Sequence, residues 1–151
     1  MTCYDSNCLV AAADIEHEFR PRTVMDMSAR LAAGEPIVLV THCLVEAFSN
    51  LSGGKGGKVR RSPAIVIQAL EELVAKLRPR LADRDANAFE AMKLVHAAGR
   101  SGGAIFDASI ALAARQAGAT TLVTWNLQDF QYAIDGLRVE EPGRFVAPVP
   151  S

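Results

Sequence analysis

One stretch limits the chain more than any other: Gly102 to Phe130, GGAIFDASIALAARQAGATTLVTWNLQDF. A Gly-Gly pair leads into an acidic residue that opens an apolar helix, and from Asp107 to Ala117 only Asp107, Ser109, Arg115 and Gln116 are polar. A helix with so narrow a wet side is a buried one. Gly118 supplies the left-handed residue at which such a helix stops. Thr121 to Trp125 follows as a short β-rich run. Asn126-Leu127-Gln128-Asp129 is then a turn whose first residue suits an Asx-type hydrogen bond. Asp107 therefore starts a helix and Asp129 lies just past the next strand, so both carboxylates can sit at one edge of a sheet.

The N-terminal third repeats this arrangement. Thr2 to Tyr4 is a minimal strand, Asp5 follows it, and Ser6 and Asn7 are cap-type residues before a short helix from Cys8 to Ala13. Groups at the carboxyl ends of α/β strands face the crevice where ligands bind, so Asp5 is placed either for chemistry or as a plain N-cap aspartate. Residues 14–22 suit a loop or a partly helical entry. Thr23 is a cap for a helix from Val24 to Ala33, with Val24, Met25, Ser28, Leu31 and Ala32 turned inward and Gly34 closing it. Pro36 to Val40 is an apolar strand of the doubly buried, parallel-sheet kind. Thr41 caps a helix from His42 to about Leu51 that carries Glu46 among Leu44, Val45, Ala47 and Phe48. A carboxylate in such company is costly to bury without a cation or donors. Glu46 reads as a metal-site acid or as a surface glutamate.

Ser52 to Arg61, SGGKGGKVRR, holds Lys55, Lys58, Arg60 and Arg61 with no acid. It fails the Walker pattern, because Ser52 stands where its first Gly belongs and Val59 follows Lys58. It reads as an arm that touches phosphate backbone or as a solvated loop, and it lacks aromatic residues for stacking. Ser62 and Pro63 start a helix running to about Leu77, with Val66, Ala69, Leu70, Leu73 and Leu77 inward. Asp85 is a cap for a helix through Ala98 with Phe89, Met92, Leu94 and Val95 inward. Leu137 to Val139 forms a last short strand, and Pro142, Pro148 and Pro150 make the tail irregular.

The 151 residues make one ordinary domain, with no repeat and no internal boundary. A net charge of −1 argues against a generic basic nucleic-acid coat, so any RNA-binding surface must be local. No apolar run approaches the ~20 residues that span a bilayer, and the absence of a basic lead argues against a secretory signal. Cys3, Cys8 and Cys43 form no C-x-x-C pair and read as buried thiols of a reducing cytoplasm. His17, His42 and His96 have no ligand spacing.

The run G-G-x-I-F-D-A-x-I-A followed by L-V-T-W-N-x-x-D-F, the opening Asp5-Ser6-Asn7-Cys8-Leu9-Val10-Ala11, and Thr41-His42-Cys43-Leu44-Val45-Glu46 resemble, in order, the motifs of PIN-domain ribonucleases. The likeness is strongest to the VapC-type toxins of bacterial toxin–antitoxin pairs and extends over roughly the whole chain. It implies a three-layer α/β/α fold with a small, mostly parallel central sheet, which the alternation of strands and helices also predicts. It further implies that Asp5, Glu46, Asp107 and Asp129 converge. Carboxylates so gathered repel one another, so either some are protonated or a divalent cation sits among them. All-oxygen ligation favours Mg²⁺ or Mn²⁺.

The resemblance gives Asp5, Asp107 and Asp129 the metal and Glu46 the attacking water or a second ion. Thr124 and Asn126 are expected to hydrogen-bond the carboxylates, with Ser6 and Ser109 assisting. Asp129 is favoured over Asn126 as the turn residue at the metal. The implied activity is a metal-dependent endoribonuclease in the cytoplasm, homodimeric, with a cognate antitoxin as partner. Its rivals are a PIN-like RNA- or protein-binding module without catalysis and a receiver-like signalling domain. The receiver reading needs a second acid beside Asp5 and a Lys after the late strand, where Ser6 and Asn126 stand.

Overall fold

The computed structural model describes residues 1–54, 60–84 and 87–147. Five short strands form one all-parallel sheet: β1 (Thr2–Tyr4), β2 (Ile37–Val40), β3 (Arg80–Ala82), β4 (Thr121–Val123) and β5 (Arg138–Glu140), in the order β3-β2-β1-β4-β5. Six helices accompany them: α1 (Ser6–Ala13), α2 (Arg20–Ala32), α3 (Thr41–Gly53), α4 (Pro63–Leu77), α5 (Ala88–Ala97) and α6 (Ala104–Gln116). This is the expected PIN-like α/β architecture. β1 is central, with Thr2 opposite Ile37 on one side and Thr121 on the other. Parallel strands need crossovers, which is why each of the first three gaps along the chain holds two helices, while β4 and β5 are joined through the short 3₁₀ turn Leu127–Phe130. The same register brings the carboxyl ends of β1 and β4 side by side, and Asp5 N–H donates to the Val123 carbonyl at 3.0 Å.

The core is aliphatic: Cys3, Leu9, Val38, Val40, Ile110, Leu122 and Val123 are buried in one cluster. A smaller cluster joins α5 to α6 through Ala91, Val95 and Ala108. All three cysteines are buried free thiols, and burial pushes Cys3 up to about 12, so none is a ready nucleophile. No helix among the described residues is long and apolar enough to cross a membrane.

Local chemistry explains most boundaries. Ser62 accepts from the Ile65 N–H and Pro63 occupies the first turn of α4, as their order predicts. Gly34 and Gly118, at φ 71° and 96°, take the left-handed conformation past α2 and α6. Three expectations are corrected. β3 is an additional edge strand, too short and too exposed to show a pattern. α5 turns Ala91 and Val95 inward, leaving Phe89 at 77% and Met92 at 52% exposure, and Asp85 lies outside the described residues. α3 is capped by Val40 without a side-chain bond, so Thr41 is its first residue.

The largest correction concerns α2. It starts at Arg20 with Pro21 in its first turn, and Thr23 lies inside it, bonded to the Phe19 carbonyl at 2.8 Å. Its buried face is Thr23, Asp26, Met27 and Arg30, whereas Met25, Ser28 and Leu31 are exposed. Arg30, only 1% exposed, donates from Nε to Asp26 at 2.9 Å. Its Nη1 reaches Thr2 (2.9 Å) and Glu35 (3.0 Å), and its Nη2 reaches Glu140. Asp26 also accepts from the Tyr4 hydroxyl and the Gly143 N–H, each at 2.7 Å. The Phe145 ring lies against the Arg30 guanidinium at 4.6 Å. One buried cation thus ties α2, β1, β5 and the C-terminal segment together.

Removing one partner from a buried ion network leaves the others desolvated and uncompensated, which costs about 3–5 kcal/mol. Arg30→Met is expected to lower the urea unfolding free energy by that order. Replacing the exposed Arg22, which pairs with Glu141 at the surface, is expected to change it by under about 1 kcal/mol.

Candidate active site

Asp5 directly follows β1 and is the N-cap of α1, as one of its two readings foresees. Its carboxylate is 5% exposed and is satisfied by three donors: Ser6 N–H at 2.7 Å, Asn7 Nδ2 at 2.8 Å and Thr124 Oγ1 at 2.9 Å. Thr124 in turn accepts from Asn7 Nδ2 (2.9 Å) and from the Asn126 N–H (3.0 Å), which directs its own proton to Asp5. Asn7 Oδ1 accepts the Trp125 N–H at 3.1 Å, closing a bridge between the turns after β1 and β4. Burial pushes Asp5 up to about 6 against these donors, and Glu46 adds to the rise.

Glu46 stands half-buried on α3, and Asp107 stands in the first turn of α6. Asp107 is pushed up to about 7, chiefly by burial and then by Asp129, Asp5 and Glu46 in that order, with Arg100 opposing. The other three acids foreseen in the sequence therefore lie within electrostatic reach of Asp107, although the four come from separate segments. Asp129 sits in a 3₁₀ turn, Leu127–Phe130, and its charge reaches Asp107.

The supporting residues differ from expectation. Thr124 and Ser6 bond Asp5 as foreseen. Asn126 acts through its backbone only, its exposed side chain making no cap bond, and Asn7 takes the orienting part assigned to it. Ser109 is buried and returns its hydroxyl to the Phe106 carbonyl at 2.8 Å, a helix-internal bond away from the acids. Arg100 was not foreseen. Its Nη1 donates to the carbonyls of Asp129 (2.9 Å) and Gln128 (3.4 Å) and to the Tyr132 hydroxyl (3.2 Å), and its Nη2 lies 3.8 Å from the Asp129 carboxylate. The only local sign of it was a lone cation between Gly99 and Gly102, before the Asp107 helix.

Of the basic arm, Lys55 and Lys58 lie outside the described residues. Arg60 is exposed, with Nε 3.5 Å from the Gly53 carbonyl. Arg61 is paired with Asp14 at 2.9 Å and with Glu16, so its charge is already compensated at home.

The chain matches no protein-family model, and no curated protein matches it significantly. Solved structures do match. VapBC2 from Rickettsia felis, bound to a DNA fragment from its promoter, superposes with a TM-score of 0.65 at 21% identity, covering 93% of this chain and 97% of that one. The chain has the PIN-domain fold of VapC-type toxins. VapC20 of Mycobacterium tuberculosis, a toxin that cleaves the sarcin–ricin loop, superposes at 0.60 with 16% identity over 88% of this chain and 97% of its own. FitAB bound to a DNA fragment gives 0.60 and 16% over 94% and 95%. In this PIN-like fold the acids occupy the carboxyl edge of the sheet, the side on which α/β folds place ligands.

The donor set, carboxylates with no Cys or His, suits a hard divalent cation in kind. Among the described residues, no three His, Cys, Asp or Glu side chains stand so that they could hold a metal ion as they are. The acids are thus close enough to add to the rise of Asp107 and not closed into a ligand cage.

Raised carboxyl groups bind protons more tightly folded than unfolded, where an Asp titrates near ~3.9. Stability contributed by protonated Asp5 and Asp107 is therefore present at low pH and lost as pH rises through about 6 and about 7. In metal-free buffer, this part of the thermal stability is expected to fall between pH 4 and 7. Asp107→Asn is expected to flatten that fall, as measured by melting temperature against pH.

Proposed function

We propose that this protein is a metal-dependent endoribonuclease, the toxin of a toxin–antitoxin pair. The observation that carries the reading is Asp107 at the head of a helix in a PIN-like fold, pushed up to about 7 by burial and then by Asp129, Asp5 and Glu46, with Asp5 itself pushed up to about 6. A site built to hold its acids ionised would surround them with cations. Here Arg100 is the cation that opposes the rise of Asp107. The remaining repulsion is what a dication would relieve.

Asp5, Asp107 and Asp129 would hold Mg²⁺ or Mn²⁺. When bound, the cation would polarise a phosphoryl oxygen and make a water acidic enough to attack. The chain's own residues supply the rest. Ser6, Asn7 and Thr124 fix the rotamer of Asp5, as outer hydrogen bonds do for metal-binding carboxylates. Arg100 holds the Asp129 turn through two carbonyls. Glu46 would orient the attacking water. No Ser or Cys nucleophile is needed, in keeping with the buried, raised thiols. Lys55, Lys58 and Arg60 would contact the RNA backbone, with Arg61 contributing least because Asp14 and Glu16 hold it. A cognate antitoxin, supported by the likeness to VapBC2 and FitAB, completes the proposal, and a homodimeric assembly and a cytoplasmic setting are proposed with it.

A second reading, a PIN-like RNA- or protein-binding module without catalysis, draws on the acids not forming a ligand cage as they stand. The two readings part on one experiment. Asp5→Asn and Asp107→Asn are expected to lower RNA cleavage in Mn²⁺ by about 100-fold or more, each removing an interaction on which the transition state depends. The parent is expected to melt at higher temperature as Mn²⁺ is added, and the variants less so. RNA that stays intact with the parent in Mn²⁺ decides for the binding module; equal cleavage by parent and variants removes these residues from the chemistry.

Glu46→Gln separates two duties. If the carboxylate orients water, cleavage is expected to fall by about 10²- to 10⁴-fold while the Mn²⁺-induced rise in melting temperature is kept. A loss of that rise would move Glu46 into the metal set.

A further inference from the structure

Phe106 is a large apolar ring left 50% exposed, one residue before Asp107 in the first turn of α6. It does not stand alone. The His42 imidazole is near parallel to it, at 22° with ring centroids 6.1 Å apart, and the Arg84 guanidinium lies over it, 5.0 Å from its centroid. His42 is one helical turn before Glu46 on α3, a spacing that puts the two on one side of the helix. Two helices therefore meet here in the same way: each presents an acid beside a ring, the acids feel one another, and the rings stack.

We infer that this layer is a base-stacking subsite, and that an unpaired nucleobase of single-stranded RNA, next to the phosphodiester held at the acids, packs on Phe106. The inference rests on the nuclease reading and extends it to the form of RNA that is taken. Consecutive helical residues are separated by about 100° around the axis, so the ring stands beside the Asp107 carboxylate and not beneath it. That offset suits a base flanking the reacting phosphate. Planar aromatic, imidazole and guanidinium groups are the surfaces on which splayed-out RNA bases stack, and a base inside a duplex cannot reach them. Charge points the same way: the chain has a net charge of −1 and this edge is acidic, so the Arg84 guanidinium in the stack puts positive charge where a nucleotide would lie. The sequence reading had looked for stacking residues in the basic arm, where none exist; they are supplied by α3 and α6.

The test compares binding of two labelled probes in EDTA, where cleavage is suppressed: a single-stranded adenosine decamer and a decamer of the same backbone without bases. One stacked base is worth about 5- to 100-fold in affinity. The parent is expected to prefer the adenosine probe by that order. Phe106→Ala and Phe106→Leu are expected to lose the preference while keeping parental affinity for the abasic backbone, which also shows that they fold. Phe106→Tyr is expected to retain it. A variant Phe106→Ala that still prefers the adenosine probe as the parent does overturns the subsite alone. A parent that binds neither probe, and cuts no RNA in Mn²⁺, overturns the nuclease reading and the subsite with it.

Discussion

A buried carboxylate satisfied from both ends of the chain is the constraint on which this molecule turns. Asp5 takes hydrogen bonds from its own helix start and from Thr124, and Asn7 bridges to the backbone of Trp125. A desolvated acid without those donors would be several kcal/mol uphill. With them, the turns after β1 and β4 are locked together at the carboxyl edge of the sheet. The other acids then approach a fixed point: Asp107 from the head of α6, Glu46 from α3, and Asp129 from the turn that Arg100 holds.

The molecule handles its two charged clusters in opposite ways. Around α2, the acids Asp26, Glu35 and Glu140 are matched by Arg30, the N-terminal ammonium and Arg138, with hydroxyls from Thr2 and Tyr4 filling the remaining positions. That network is closed and structural. At the carboxyl edge burial raises Asp5 and Asp107, neighbouring acids add to the rise, and Arg100 is the cation that opposes it at Asp107. A fold that compensates one buried cluster so fully and leaves the other in deficit holds electrostatic tension at one place, where perturbed groups mark sites of chemistry. The exposed Phe106, stacked with His42, stands one residue before Asp107.

Much of this was legible from the residues alone because it is governed by short-range chemistry. Ser62 and Pro63 begin a helix, Gly118 ends one, and Ile37 to Val40 is apolar on both faces, each for reasons contained within a few neighbours. The four acids stood out together through the resemblance to PIN-domain ribonucleases, since locally Asp5 also reads as an N-cap and Glu46 as a surface glutamate. α2 was misread for a physical reason: hydrophobic patterning assigns Met25 and Leu31 to the core, and only a sheet face offering Tyr4 and Thr2 as partners makes an Asp and an Arg the better inner residues. α5 failed likewise, because α6 approaches it on the side of Ala91 and Val95, where small residues permit contact.

Local sequence, then, determined the parallel α/β class and the element ends set by Gly, Pro and Ser, and the motifs it shares with PIN-domain ribonucleases singled out the four acids. Tertiary structure alone decided that Asn7 rather than Asn126 orients Asp5, that Arg100 holds the Asp129 turn, that Arg61 is committed to Asp14 and Glu16, and that Phe106 meets His42. The division follows the range of the forces. Backbone conformation is set within a turn or two, whereas the partner of a buried charge or an exposed ring is whatever the folded chain brings within a few ångströms of it.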